Sequence, residues 1–127
     1  MSPLSRLTLT IDAPCEWINS NQRLHRMEMA RRTREWRFAA YNAGLPIDGM
    51  FEDHVRIVAT VHKTRGGKWD AGNLYPTAKA VVDGLVDAGL FVDDSNRYVT
   101  GPDMRPGEKR DKSSVVVHIA IAERDAA

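Results

Sequence analysis

The stretch WDAGNLYPTAKAVVDGLVDAGLFVDD, residues 69–94, sets one helical run between acidic ends. Pro76 suits a first helical turn, where its missing N–H has no intrahelical partner to lose. Val81, Val82, Leu85 and Val86 recur at helical spacing as a buried stripe, and Gly89 is a natural stop. The spacing therefore predicts a helix over 76–88. Gly84 inside it costs about 1 kcal/mol relative to alanine, which predicts close packing against a neighbouring element. Asp70 precedes the helix and Asp93–Asp94 follows it. A helix of about 13 residues spans roughly 20 Å. The acids meet only if the chain folds back and brings both to one edge of a sheet.

Reading outward, residues 5–12, SRLTLTID, alternate Leu7, Leu9 and Ile11 with Thr8 and Thr10, a strand with one buried face. Residues 54–62, HVRIVATVH, put Val55, Ile57, Ala59 and Val61 on one face and Arg56, Thr60 and His62 mostly on the other. A short strand is expected over 96–103, a charged turn at RPGEKRDK, and a well-buried strand over 113–122 through Val115, Val117, Ile119 and Ile121. From Leu24 to Ala43, the residues Leu24, Met27, Trp36, Phe38, Ala39 and Ala40 suggest a helix ended by Gly44 and Pro46. Its apolar stripe is broken around Arg31–Thr33. Strands and helices that alternate irregularly, with a hairpin at the end, predict one compact α+β domain over 1–127, a small mixed or antiparallel sheet with two main helices.

A chain of 127 residues suits one domain, and 43% apolar content argues against disorder. No apolar run is long enough for a membrane span. The start, MSPLSRLTLTID, lacks the basic-then-apolar pattern of a signal peptide. Cys15 is the only cysteine, which excludes an intrachain disulfide and a cysteine zinc site. It reads as a small half-buried thiol rather than a nucleophile, and a reducing, cytoplasmic setting is expected. The net charge of +1 conceals segregation. Residues 23–37 hold Arg23, Arg26, Arg31, Arg32, Arg34 and Arg37 against Glu28 and Glu35, and KTRGGK adds Lys63, Arg65 and Lys68 with no acid. The acids gather at 83–94. Such a division fits a protein that holds phosphate backbones and positions cations.

Clustered carboxylates repel unless a hard cation neutralises them, and Mg²⁺ prefers oxygen ligands. Phosphodiester hydrolysis is the matching chemistry. A plainer reading makes Asp70 the cap of the turn before the helix and Asp93–Asp94 a solvated turn pair. Lys79 and Asp83 stand four apart, as a surface ion pair or with the ammonium turned to a phosphate. Spacing alone leaves both readings open. His62, near the end of the second strand, leans toward the Asp70 side, and no spacing supports a histidine metal site.

The same stretch resembles the signature of the RusA family of Holliday-junction resolvases. The match runs through Asp70, Asn73, Leu74, Lys79, Asp83, Leu85, Gly89 and Asp93–Asp94. INSNQRLHRMEMARRTREWR resembles the family's Asn/Arg/His-rich loop and basic helix, VRIVATVHKTRGGKWD its strand and basic loop, and SSVVVHIAI its last strand. The resemblance implies a RusA-like α+β homodimer that binds four-way DNA junctions. It would cut them with Mg²⁺, or Mn²⁺, by symmetric incisions in recombination and repair within a bacterial or phage-infected cell. It makes Asp70 and Asp94 metal-binding carboxylates, Asp93 a secondary one, and Lys79 the catalytic lysine, with Asp83 in support. Arg23, His25, Arg31, Arg34, Lys63, Arg65 and Lys68 are the expected DNA contacts. Two departures stand out. Gly72 occupies the place of a further aspartate, and the segment Asn73–Lys79 is longer than in the shorter family version. A site so depleted would bind metal through more water, through Asn73, or with Asp93 or Asp83 recruited. A junction binder with weak or no cleavage is the alternative.

Overall fold

Prolines and apolar runs sort the strands between the edge and the middle of one sheet. A computed structural model describes residues 3–92 and 97–122. In chain order its elements are β1 (Arg6–Asp12), α1 (Arg26–Gly44), β2 (Val55–His62), a 3-10 turn (Ala71–Leu74), α2 (Tyr75–Asp87), β3 (Val99–Pro106) and β4 (Ser114–Ile121). The sheet runs β1-β4-β2-β3. β4 is antiparallel to both neighbours, whereas β3 lies parallel to β2 after the crossover through α2. The α+β class with a four-stranded mixed sheet and two helices is as expected.

The expected terminal hairpin does not form: β3 and β4 are separated by β2. β3 carries Pro102 and Pro106, which lack a ladder N–H and suit an edge. β4 has no proline, and Ser114 to Val117 are all buried, so it takes the centre. A helix-length connection then lets β3 join β2 in parallel.

Val55, Ile57, Ala59 and Val61 are fully buried on one face with Val115, Val117, Ile119 and Ile11. Trp36 and Ala40 of α1, and Ala78, Val81, Val82 and Leu85 of α2, complete that core. Ile121, expected to be buried, is 41% exposed. Alternation identifies a face but does not say where the layer covering it stops.

α1 is continuous through Arg31–Thr33 because the polar groups there are satisfied locally. Thr33 Oγ1 donates to the Met29 carbonyl at 2.8 Å, and Arg32 donates to the Trp17 carbonyl at 2.9 Å. Only Trp36, Ala40 and Gly44 of this helix are buried. Gly84 explains how α1 and α2 approach: a Cβ there would collide with the Arg37 carbonyl oxygen and lie 2.8 Å from Ala40 Cβ. Gly89 ends the α2 segment at φ +85°, the left-handed conformation that favours glycine. Among the described residues, no helix is long and apolar enough to cross a membrane.

Candidate nucleic-acid and metal site

β2 ends at His62 and releases the basic loop beside two indoles. Lys63, Arg65 and Lys68 line a cleft of about 380 Å³ together with Trp17 and Trp69. Lys63 Nζ sits 4.5 Å from the centroid of the Trp69 ring, within cation–π range. Trp17 stacks on buried Trp36 with centroids 5.2 Å apart, and Trp36 Nε1–H donates to the Glu16 carbonyl at 3.0 Å. The far wall of the cleft therefore rests on the core.

Asp70 follows the Lys68 and Trp69 of this cleft directly in the chain. It has extended backbone and caps the 3-10 turn, its Oδ1 accepting the Gly72 N–H at 2.9 Å. The capping interaction anticipated from sequence is thus formed, and it occupies one carboxylate oxygen. Gly72 is exposed, and a Cβ at that position would lie 3.2 Å from Asp70 Oδ1. A side chain at residue 72 would therefore start beside the Asp70 carboxylate.

The Asn-rich loop is stitched to the same end of α2. Ile18 N–H donates to Thr77 Oγ1 at 2.8 Å, and the Thr77 hydroxyl donates to the Ile18 carbonyl at 2.9 Å, both in the buried interior. Ser20 N–H donates to the Asn73 carbonyl at 2.8 Å. Sequence reasoning missed Thr77, although it stands at helical spacing from Val81 and Leu85 as a lone polar residue within their stripe. Thr77→Val keeps the shape but leaves two buried backbone groups unpaired, an expected loss of about 2–3 kcal/mol. Urea unfolding and faster amide exchange at Ile18 and Ser20 would register it.

The remaining candidates have varied surroundings. His25 Nδ1 accepts the Met27 N–H at 3.1 Å and caps α1; Arg23 is exposed just before it. Arg31 is held by Glu28, by Glu35 at 2.6 Å and by Glu16 at 2.8 Å. Hydrogen bonds to Glu28 and then Glu16 keep its guanidinium protonated beyond the usual range, and the Arg31 bond holds Glu28 below the usual carboxylate range. Its charge is balanced within α1 and its flanking loop. Arg34 lines a separate depression with Phe38 and Tyr41. Lys79 Nζ pairs with Asp83 Oδ1 at 2.6 Å.

His62 is buried, its Nδ1–H donating to the Glu108 carbonyl at 2.9 Å, which fastens the loop after β3. His54 spends both ring nitrogens, on the Arg97 carbonyl and on Thr100 Oγ1. Burial, with a bond to Glu35, pushes the Cys15 thiol up to about 12, so it stays neutral and unreactive as expected. Asp93 and Asp94 lie outside the described residues. Among the described residues, no three His, Cys, Asp or Glu side chains are grouped to hold a metal ion. The structure thus gathers Lys63, Arg65 and Lys68 with Asp70 next in chain, while Arg31 and Arg34 belong to other surroundings.

Comparison with protein-family models and with curated proteins finds no match to this chain.

Proposed function

We propose that this chain is a Mg²⁺-dependent endonuclease that binds and resolves branched DNA as a cytoplasmic homodimer of the RusA type. The observation that carries the reading is an exposed aspartate following directly on a basic cleft walled by two indoles. Lys63, Arg65 and Lys68 hold backbone phosphates, which supply affinity without sequence choice. Trp17 and Trp69 offer flat apolar surface to an unpaired base. Asp70 has a second carboxylate oxygen besides the one used in the cap, and with Asp94 and Asp93 it would hold the cation. A bound Mg²⁺ supplies charge neutralisation at the phosphate and a more acidic water. Asp83 steadies the Lys79 ammonium for the developing negative charge.

Gly72 favours a second reading, a junction-binding protein with little cleavage. A labelled four-way junction, tested beside linear duplex with Mg²⁺ or Mn²⁺, separates the two. Metal-dependent incision supports the nuclease, tight binding without incision supports the binder, and no preference for the junction sinks both.

Gly72→Asp probes the same point from the other side. The added carboxylate would start beside Asp70 Oδ1, where like charges repel until a cation joins them. The variant is expected to melt lower than wild type without metal, to gain more on Mg²⁺ addition, and to cut at least about tenfold faster at limiting Mg²⁺. Thermal melts with and without Mg²⁺ check this apart from activity. An identical Mg²⁺ response in the two proteins would show that position 72 does not face a metal.

A further inference from the structure

We propose that the outward face of α1 is the contact between two copies of this chain, paired antiparallel about the level of Trp36. Met27, Arg34, Phe38, Tyr41 and Leu45 recur at spacings that put them on one helical stripe, opposite buried Trp36, Ala40 and Gly44. Met27, Phe38 and Leu45 are 74%, 60% and 51% exposed. Solvent-facing apolar residues scattered singly need no explanation, but a row of them along one helix marks an interaction surface.

The occupant follows from the order of residues along the row. A two-fold interface must be complementary to itself. Met27 and Leu45 lie nine residues to either side of Trp36, and Arg34 and Phe38 lie two to either side. Antiparallel pairing about that level sets Met27 against the partner's Leu45. It also brings the partner's Arg34 to the shallow depression beside Phe38 and Tyr41. Those two rings stack with centroids 6.2 Å apart and offer a guanidinium a broad aromatic face. At the rim, Arg37 binds Asp87 of α2 through two hydrogen bonds of 2.6 and 2.9 Å. The same pair from the partner comes alongside, and charges of alternating sign close that edge. The row thus matches apolar with apolar and cation with aromatic, which an unrelated partner would not require.

A helix of 19 residues is about 28 Å long, and one stripe of that length buries less than the roughly 800 Å² per partner of a standard interface. The dimer is accordingly reversible, forming in the micromolar range. The inference stands on this stripe alone and holds whether or not the chain cuts DNA.

Sedimentation equilibrium across the micromolar range tests it, with a concentration-dependent dimer expected. Phe38→Glu, at an exposed position, should leave the circular dichroism unchanged and raise the dimer dissociation constant by at least about tenfold. Register is tested by cysteine cross-linking in a Cys15→Ser background. Met27→Cys mixed with Leu45→Cys should give a disulfide-linked pair under mild oxidation. Neither variant alone should do so, because like positions lie about 27 Å apart in this pairing. A monomer throughout, a dimer indifferent to Phe38→Glu, or self-linking of Met27→Cys would each overturn the proposal.

Discussion

Asp70→Asn is expected to reduce metal-dependent cleavage of a four-way junction by on the order of 100-fold or more while leaving the fold intact. Asparagine caps helices about as well as aspartate, so its side-chain oxygen still accepts the Gly72 N–H. The substitution therefore removes the charge and keeps the local structure. Unfolding by urea should match wild type, and junction binding should persist or tighten, since a negative charge has left a basic cleft. Asp70→Ala loses charge and cap together, adding an expected stability loss of about 1 kcal/mol. If Asp70→Asn cuts as well as wild type, Asp70 serves only as a cap and the nuclease reading loses its central residue.

Trp36→Ala should cost about 3–5 kcal/mol, a large share of the roughly 5–15 kcal/mol that holds a domain of this size. The indole is fully buried, stacks on Trp17 and donates to the Glu16 carbonyl. Removing it opens a cavity, frees a carbonyl and takes the support from one wall of the basic cleft. Trp36→Phe retains most of the apolar area and loses the hydrogen bond, so about 1–2 kcal/mol is expected. Urea unfolding of both variants gives the comparison. A loss below about 1 kcal/mol for the alanine variant would mean that the interior refills and that Trp17 is held by something else.

Much of the architecture was legible because burial leaves a period in the sequence. The alternation in 54–62 located β2 and its core face, and the stripe Val81, Val82, Leu85 located α2. Gly84 announced the helix contact because a residue costly to a helix needs a reason to be there. Strand partners were less legible, since alternation describes a strand by itself. Pro102 and Pro106 do hint at an edge position for β3, but nothing local says that β4 enters between β1 and β2.

The candidate site was legible in residue types more than in roles. The Arg31–Glu35 pair is written in its spacing, whereas the bond from Arg31 to Glu16 depends on how the intervening loop folds. His25 could be read as a ligand contact or as a cap; its ring nitrogen accepts a backbone N–H, as a cap does. Thr77 belongs to a hydrogen-bond exchange across the chain that no spacing rule reports.

The central position of β4 also bears on how the protein is made. β1 pairs only with β4, so Arg6 must wait for Ala120, and β2 likewise lacks one neighbour until that strand arrives. Such distant pairing slows folding, because the long loop must close before the contacts reward it. On the ribosome, β1 and β2 leave the exit tunnel with open edges, and the sheet cannot close until residues 114–121 follow. Chaperone dependence and sensitivity to premature stop codons should concentrate in that interval, when an apolar nascent chain is exposed and its central strand is still to come.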